Sequence, residues 1–334
     1  MFKFQKISQN LIKNLPQRTK DIIEQRFGLK TGKRKTLEAI GQNYGITRER
    51  VRQIESVGFS KISPKIKKID NIFTYFTDEL KKSGNLRRET ILLDLLGQRK
   101  FQNHVFFLLT LGERFERFYQ TNSLYSLWTI DKNSVNVASD LLNFLNNRFQ
   151  KINRPLTLEE IAKLTNSDFK KSLASSAISS YIEVSKRIKK GPEGAFGLTD
   201  WSEINPRGVK DRAYLVFKKE GKPLHFRELT ELINKSEFDF PRALPQTVHN
   251  ELIKDDRFVL VGRGLYALAE WGYKPGVVKD VIADVLRKAK KPLSKKEVVE
   301  MVSQRRLVKK STILLNLNNR EYFLKNSRGK YTLN

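Results

Sequence analysis

Four side chains carry the sharpest chemical signal in the chain: Arg48, Glu49, Arg52 and Gln53, in the run TRERVRQIE. Each type matches a base edge in the major groove of duplex DNA. Arginine donates two bonds to guanine, glutamine pairs with adenine, and glutamate accepts from the cytosine amino group. Arg48 and Arg52 are four apart, as are Glu49 and Gln53, so on a helix they project together. Val51 and Ile54 fall on the opposite face, with Ile46 just ahead of them. Arg50 and Lys61 suit phosphate oxygens better than bases. The same residues also fit a solvated charged helix face, and periodicity leaves both readings open.

The elements that must hold these side chains are written just upstream. Leu37, Ile40 and Tyr44 share one face of a preceding helix. Gly45 suits a tight turn, and Thr47 is a good N-cap for the second helix. Together they spell a helix-turn-helix. The segments LPQRTKDIIEQRFGL (15–29) and TLEAIGQNYGITRERVRQIE (36–55) resemble region 4 of housekeeping bacterial sigma factors. That resemblance implies recognition of a promoter element and contact with the flap region of the RNA polymerase core. It further implies base contacts for Arg48, Glu49, Arg52 and Gln53, and DNA-backbone contacts for Thr36, Leu37 and Arg50. Thr47 and Lys61 join the expected backbone set. No segment resembles sigma region 2.

Downstream the chain repeats. Arg154-Pro155-Leu156, Lys222-Pro223-Leu224 and Lys291-Pro292-Leu293 each open a helical segment. Thr157 with Glu160, and Ser294 with Glu297, form candidate capping boxes. His225 stands at that place in the middle copy and predicts a weaker cap. Ile188, Phe258 and Phe323 are each followed eight residues later by an aromatic: Phe196, Tyr266 and Tyr331. Gly194, Gly264 and Gly329 sit just before those aromatics, as in a two-stranded hairpin. Helical segments near 175–184, 247–254 and 312–319 precede the hairpins. This order is that of a winged helix-turn-helix. A fourth, degenerate copy is expected at 69–132, without the Pro-Leu start. Residues 207–273, with GKPLHFRELTELI and TVHNELIKDDRFVLVGRGLYALAEWGY, resemble a HARE-HTH domain. That winged-helix family includes the N-terminal domain of the RNA polymerase delta subunit, so the resemblance implies contact with nucleic acid or the transcription machinery.

Arg263 and Arg328 fall at the expected wing tips, where they suit phosphates; ordinary turn chemistry explains them equally well. Lys309 and Lys310 precede Thr312 at a helix start, where their charge opposes the helix dipole. That local cost is understandable if they meet phosphates. The helix itself, TILLNL, is apolar enough for core or for a protein contact. Trp128, Trp201 and Trp271 lie near module ends and are expected to anchor each wing against the next module.

The formal net charge of the 334 residues is +28, which points to a polyanionic partner. Residues 1–66 and 276–334 each hold fifteen basic and five acidic side chains, so the ends are the charge-dense parts. The chain has no cysteine, which excludes disulfides and thiolate chemistry, and three scattered histidines give no metal cluster. The longest apolar run, near 105–111, is far short of the roughly 20 residues of a membrane span. Asp211 with Glu220 and Lys222 superficially resembles a nuclease core, but Lys222 belongs to the repeat start.

The expectation is therefore a mainly α fold with small β-hairpins, an N-terminal helix-turn-helix followed by tandem winged helices. The modules are expected at 1–66, 69–132, 135–204, 207–273 and 276–334. The expected function is non-enzymatic, cofactor-free binding of promoter-type double-stranded DNA, at the nucleoid in the cytoplasm and away from membranes, with RNA polymerase as partner. The alternatives are a delta-like polymerase accessory subunit with mainly protein contacts, and an architectural protein that coats DNA without sequence preference.

Overall fold

The computed structural model describes residues 2–169, 171–236, 241–273, 277–306 and 308–334. Gly276, the expected first residue of the last module, lies outside the described residues. The chain forms two compact units, 1–200 and 201–334.

The first unit begins with four helices: α1 (Phe4–Ile12), α2 (Gln17–Phe27), α3 (Leu37–Tyr44) and α4 (Arg48–Ile66). Then come α5 (Asp70–Lys82), β1 (Leu86–Arg88), α6 (Glu89–Gly97), α7 (Gln102–Leu111), β2 (Glu116–Phe118) and β3 (Leu127–Thr129). The order helix, strand, helix, helix, hairpin is that of a winged helix, and its sheet runs β1-β3-β2, all antiparallel. The copy that is most degenerate in sequence thus carries a full three-stranded sheet. The strand Leu86–Arg88 takes the place of the missing Pro-Leu start. The unit closes with α8 (Lys132–Ile152), α9 (Leu158–Asp168), α10 (Ser175–Glu183) and the hairpin β4 (Ile188–Lys190)–β5 (Phe196–Leu198).

The second unit repeats this order once in full and once with an isolated bridge at Leu293 in place of the first strand. It contains α11 (Val209–Glu220), β6 (Leu224–His225), α12 (Phe226–Lys235), α13 (Pro245–Lys254), β7 (Phe258–Gly262) and β8 (Leu265–Leu268). It ends with α14 (Val278–Ala289), α15 (Lys295–Ser303), α16 (Lys310–Leu317), β9 (Phe323–Lys325) and β10 (Tyr331–Leu333).

The Pro-Leu repeat now has a physical reason. Each leucine is buried and pairs with the aromatic of the wing's second strand: Leu156 with Phe196, Leu224 with Tyr266, Leu293 with Tyr331. The leucine offers both backbone groups to that strand, whereas proline, lacking an N–H, fits just outside the pairing. Two residues before each proline the preceding helix ends in the left-handed region, at Asn153, Gly221 and Lys290. The wing glycines Gly194, Gly264 and Gly329 have φ of 86°, 69° and 74°, which favours a residue without Cβ.

Packing departs from a simple string of modules in the first unit. One continuous core runs from Phe4 and Leu11 of α1 through Phe27, Ile62, Phe76 and Phe107 to Trp128 of β3. Phe27 lies 5.9 Å from Phe59 and 5.0 Å from Phe107, tying α2 and α4 to α7. Such aromatic pairs contribute about 1 kcal/mol each beyond burial. Trp128 corrects an expectation. It donates to the Glu89 carboxylate at 3.0 Å and meets Phe106 edge-on at 5.7 Å, so it anchors its wing to its own helices. Trp271 likewise packs edge-on against Phe217 of α11, in its own module. The hydroxyl-for-imidazole difference between caps is visible too. Thr157–Glu160 and Ser294–Glu297 close reciprocal boxes, while His225 caps its helix by accepting from the Arg227 N–H at 3.3 Å, without a reciprocal bond among the described residues.

Candidate nucleic-acid interface

The sequence of α3, turn and α4 folds locally as its residue types dictate. Thr36 caps α3 by accepting from the Ala39 N–H at 3.1 Å. Gly45, at φ 63°, ends it in the left-handed region. Thr47 then caps α4, accepting from the Arg50 N–H at 3.2 Å. Each cap is worth about 1 kcal/mol. Behind the turn, Ile22, Ile40 and Val51 form a small buried core flanked by Leu37, Tyr44, Ile46 and Ile54. The Tyr44 hydroxyl donates to Asp21 of α2, and burial together with that bond pushes its pKa up to about 12. The two helices are thus pinned to α2 by one apolar plug and one polar tie.

Arg48, Glu49, Arg52 and Gln53 are all exposed on the outer face of α4. Two of the four engage each other. The Arg52 guanidinium donates to both carboxylate oxygens of Glu49, at 2.6–3.1 Å, with both side chains nearly 60% exposed. The hydrogen bond from Arg52 holds the Glu49 carboxyl below its usual range. Arg50 donates to Gln53 at 3.0 Å. Arg48 makes no hydrogen bond among the described residues. A periodic reading of residue types did not find these pairs, although the i, i+3 spacing of opposite charges is the signature of Glu49–Arg52. The pairing keeps Glu49 ionised and an acceptor, so the face offers a negative oxygen pair between cationic donors.

The residues expected at the backbone are placed as follows. Thr36 and Leu37 stand at the α3 N-terminus, Thr36 exposed and Leu37 half-buried in the small core. Thr47 and Arg50 lie in the first turn of α4. Lys61 is exposed on the same helix, but thirteen residues beyond Arg48, roughly 20 Å along the axis and on a different side. It is not brought together with the other four. Arg263 sits exposed in the two-residue turn between β7 and β8. Arg328 is exposed in the β9–β10 turn, where Asn326 accepts from the N–H groups of Arg328 and Lys330. Lys309 is the N-cap residue of α16, and Lys310 its first residue, so the helix starts two residues earlier than its sequence suggested.

Sequence reasoning passed over other features. In the second unit, Gln246, Thr247 and Asn250 form an exposed polar face on α13, with a 3.1 Å bond from Gln246 to Asn250. Lys189 and Lys190 are exposed on β4. Asp211 and Glu220, weighed as part of a nuclease core, stand at opposite ends of α11, roughly 13 Å apart. Asp211 instead accepts from the Arg207 N–H and from Arg257, both at 2.8 Å. Among the described residues no group of three or more His, Asp or Glu could hold a metal ion.

Residues 11–63 match the sigma-70 region 4 family, and residues 207–271 match the HARE-HTH family, an HTH domain of ASXL and restriction endonuclease type. Among curated proteins, the chain is 44% identical over 54 residues to RNA polymerase sigma factor SigA of Microcystis aeruginosa. It is 47% identical over 55 residues to sigma factor sigB of Arabidopsis thaliana, and 50% over 46 residues to the principal sigma factor HrdD of Streptomyces viridifaciens. These alignments take in 16%, 16% and 14% of this chain, and only 13%, 10% and 14% of the relatives' own lengths. The sigma region 4 match takes in α2–α4, and the HARE-HTH match takes in α11–β8.

Proposed function

We propose that the chain is a sigma-factor-related, DNA-binding transcription factor that reads promoter-type duplex DNA with α4 and acts with RNA polymerase. The observation that carries this reading is the exposed Arg48–Gln53 face, held on a capped, well-packed helix inside the segment that matches sigma region 4. Arg48 is the free guanine donor, and the Glu49–Arg52 pair suits adjoining cytosine and guanine. Thr36, Leu37, Thr47 and Arg50 ring the face at helix N-termini, where backbone N–H groups favour phosphate. Arg263, Lys309, Lys310 and Arg328 supply backbone contacts from the second unit. With about 6–10 phosphates neutralised, log K should fall with log salt at a slope of roughly −5 to −9.

The deciding experiment is selection from random duplexes with the full chain and with the Arg48→Ala, Arg52→Ala variant. A motif from the wild type that disappears in the variant is expected, with a loss at the selected site of about 3 kcal/mol, roughly a hundredfold. The same motif from both proteins would refute base reading by α4.

A second reading has its own observation. Leu244 beside α13, Ile253 on α13 and Leu315 on α16 are 65%, 64% and 74% exposed, an apolar character suited to protein. On this reading the second unit contacts polymerase, as a delta-like accessory. Loss of polymerase retention in Ile253→Glu, Leu315→Glu, with duplex affinity intact, would favour it.

A further inference from the structure

The first unit contains a cleft of about 410 Å³ far along the chain from α4, between the β1–β3 module and the β4–β5 wing. Its volume lies in the range that holds small molecules, roughly 300–1,000 Å³. Leu158, Ile188 and Phe196 give it apolar walls, and Arg88, Lys186 and Lys190 give it positive charge. Lys190 lies on the same side of β4 as Ile188, and opposite Phe196 in register, so charge and apolar wall face one space.

Arg88 is the informative group. Its guanidinium carbon lies 3.6 Å from the Tyr125 ring centroid, over the ring face. Its Nε is buried with no hydrogen-bond partner, and its side chain makes no hydrogen bond among the described residues. The surroundings are rigid: the Tyr125 N–H donates to the Val184 carbonyl at 2.9 Å, and the Lys186 N–H to the Ser123 carbonyl at 2.8 Å. The Lys186 ammonium donates to the Thr121 carbonyl at 2.7 Å and lies 5.5 Å from the Tyr125 ring. The acid that lines the cleft, Glu183, has its Oε2 3.5 Å from Arg87 Nε, an ion pair without a hydrogen bond, so a phosphate entering the cleft also meets this carboxylate. A guanidinium stacked on an aromatic ring, in a cleft that two lysines also line, suits phosphate oxygens.

We propose that this cleft binds a phosphorylated nucleoside, its phosphates on Arg88, Lys186 and Lys190 and its base or sugar against the apolar walls. The site is independent of duplex reading by α4. The phosphorylated nucleoside can come as a free nucleotide or as the 5′-phosphorylated end of a strand.

Isothermal titration of the full chain with ATP, and separately with a 5′-phosphorylated single-stranded oligonucleotide, tests this. Binding is expected to weaken about tenfold or more in Arg88→Ala and in Lys190→Glu, and to stay unchanged in Arg48→Ala, Arg52→Ala. Lys190 is exposed, so its variant reports even if loss of Arg88 perturbs β1. Pyrophosphate should compete, and adenosine should not. Binding of ATP with this variant pattern supports a free nucleotide. The same pattern from the oligonucleotide alone supports a strand end. Three outcomes would each overturn the site: binding of neither probe, competition by adenosine but not pyrophosphate, or sensitivity to Arg48 and Arg52 but not to Arg88 and Lys190.

Discussion

The helix that precedes the wing meets opposite fates in the two units. In the first unit, α7 is buried from His104 to Leu111 except at Phe106 and Thr110. Its neighbour in role, α10, packs against β1: Ser180 donates to the Leu86 carbonyl at 2.7 Å, and the Tyr181 hydroxyl to the Gly84 carbonyl at 2.9 Å. In the second unit, α13 exposes Gln246, Thr247, Asn250 and Ile253, and α16 exposes Lys310, Ser311, Thr312 and Leu315. One fold element thus serves as masonry in one place and as an open face in another. Sharing the winged-helix order does not confer a free groove-reading helix. In the first unit, α4 keeps an exposed outer face at Arg48, Glu49, Arg52 and Gln53.

The largest effect should come from breaking the masonry. Phe107→Ala, at a site with 0% exposure, is expected to cost the first unit about 3–5 kcal/mol, read as a lowered urea midpoint. Gln246→Ala and Thr312→Ala on the open helices should stay within about 0.5 kcal/mol. A cost below about 1 kcal/mol for Phe107→Ala would dissolve the contrast. A middling effect should come from the wings of the second unit. Removing Arg263 and Arg328 together should reduce the salt slope of duplex binding by about 2, uniformly across sequences. An unchanged slope would leave those arginines as turn residues.

The smallest effect concerns the capping boxes. Arg154, with the Thr157 N–H, holds the Glu160 carboxyl down at about 2. An unfolded glutamate titrates near roughly 4.3. The folded value is the lower one, so the box contributes fully above that range and fades as pH falls from about 4.3 toward 2. The side chain is 40% exposed, so solvent screens much of the effect. Glu160→Gln should flatten the acid dependence of the first unit's thermal midpoint slightly. The copy at His225, which lacks a box, should show no counterpart.

The legible parts of this molecule were those set by near neighbours in the chain. Thr47, Gly45 and Val51 announced their turn because caps, left-handed glycines and i, i+3 spacing act within a few residues. The wings announced themselves through glycine and a fixed aromatic spacing. The burial of α7 was not legible, since Phe27, Phe59 and Phe107 are ordinary apolar residues until a distant helix covers them. Nor was β1, where Leu86–Arg88 becomes a strand only because Leu127–Thr129 arrives some forty residues later. The Glu49–Arg52 pair was readable in spacing, yet looked like two independent base readers.

Helix α4 is also a mechanical part. Its first two turns carry the exposed face, while Gly58 and Ile62 in its second half are buried, and Ile62 belongs to the main core of the first unit. The helix runs unbroken over its 19 residues, and between its exposed face and its buried end lies Gly58, with the Ser60 hydroxyl donating back to the Ser56 carbonyl at 3.1 Å. The face at Arg48 and the buried Ile62 thus stand on one continuous helix. That rod ends in the apolar mass around Phe27 and Phe107, so the exposed face and the core that runs from Phe4 to Trp128 share one element.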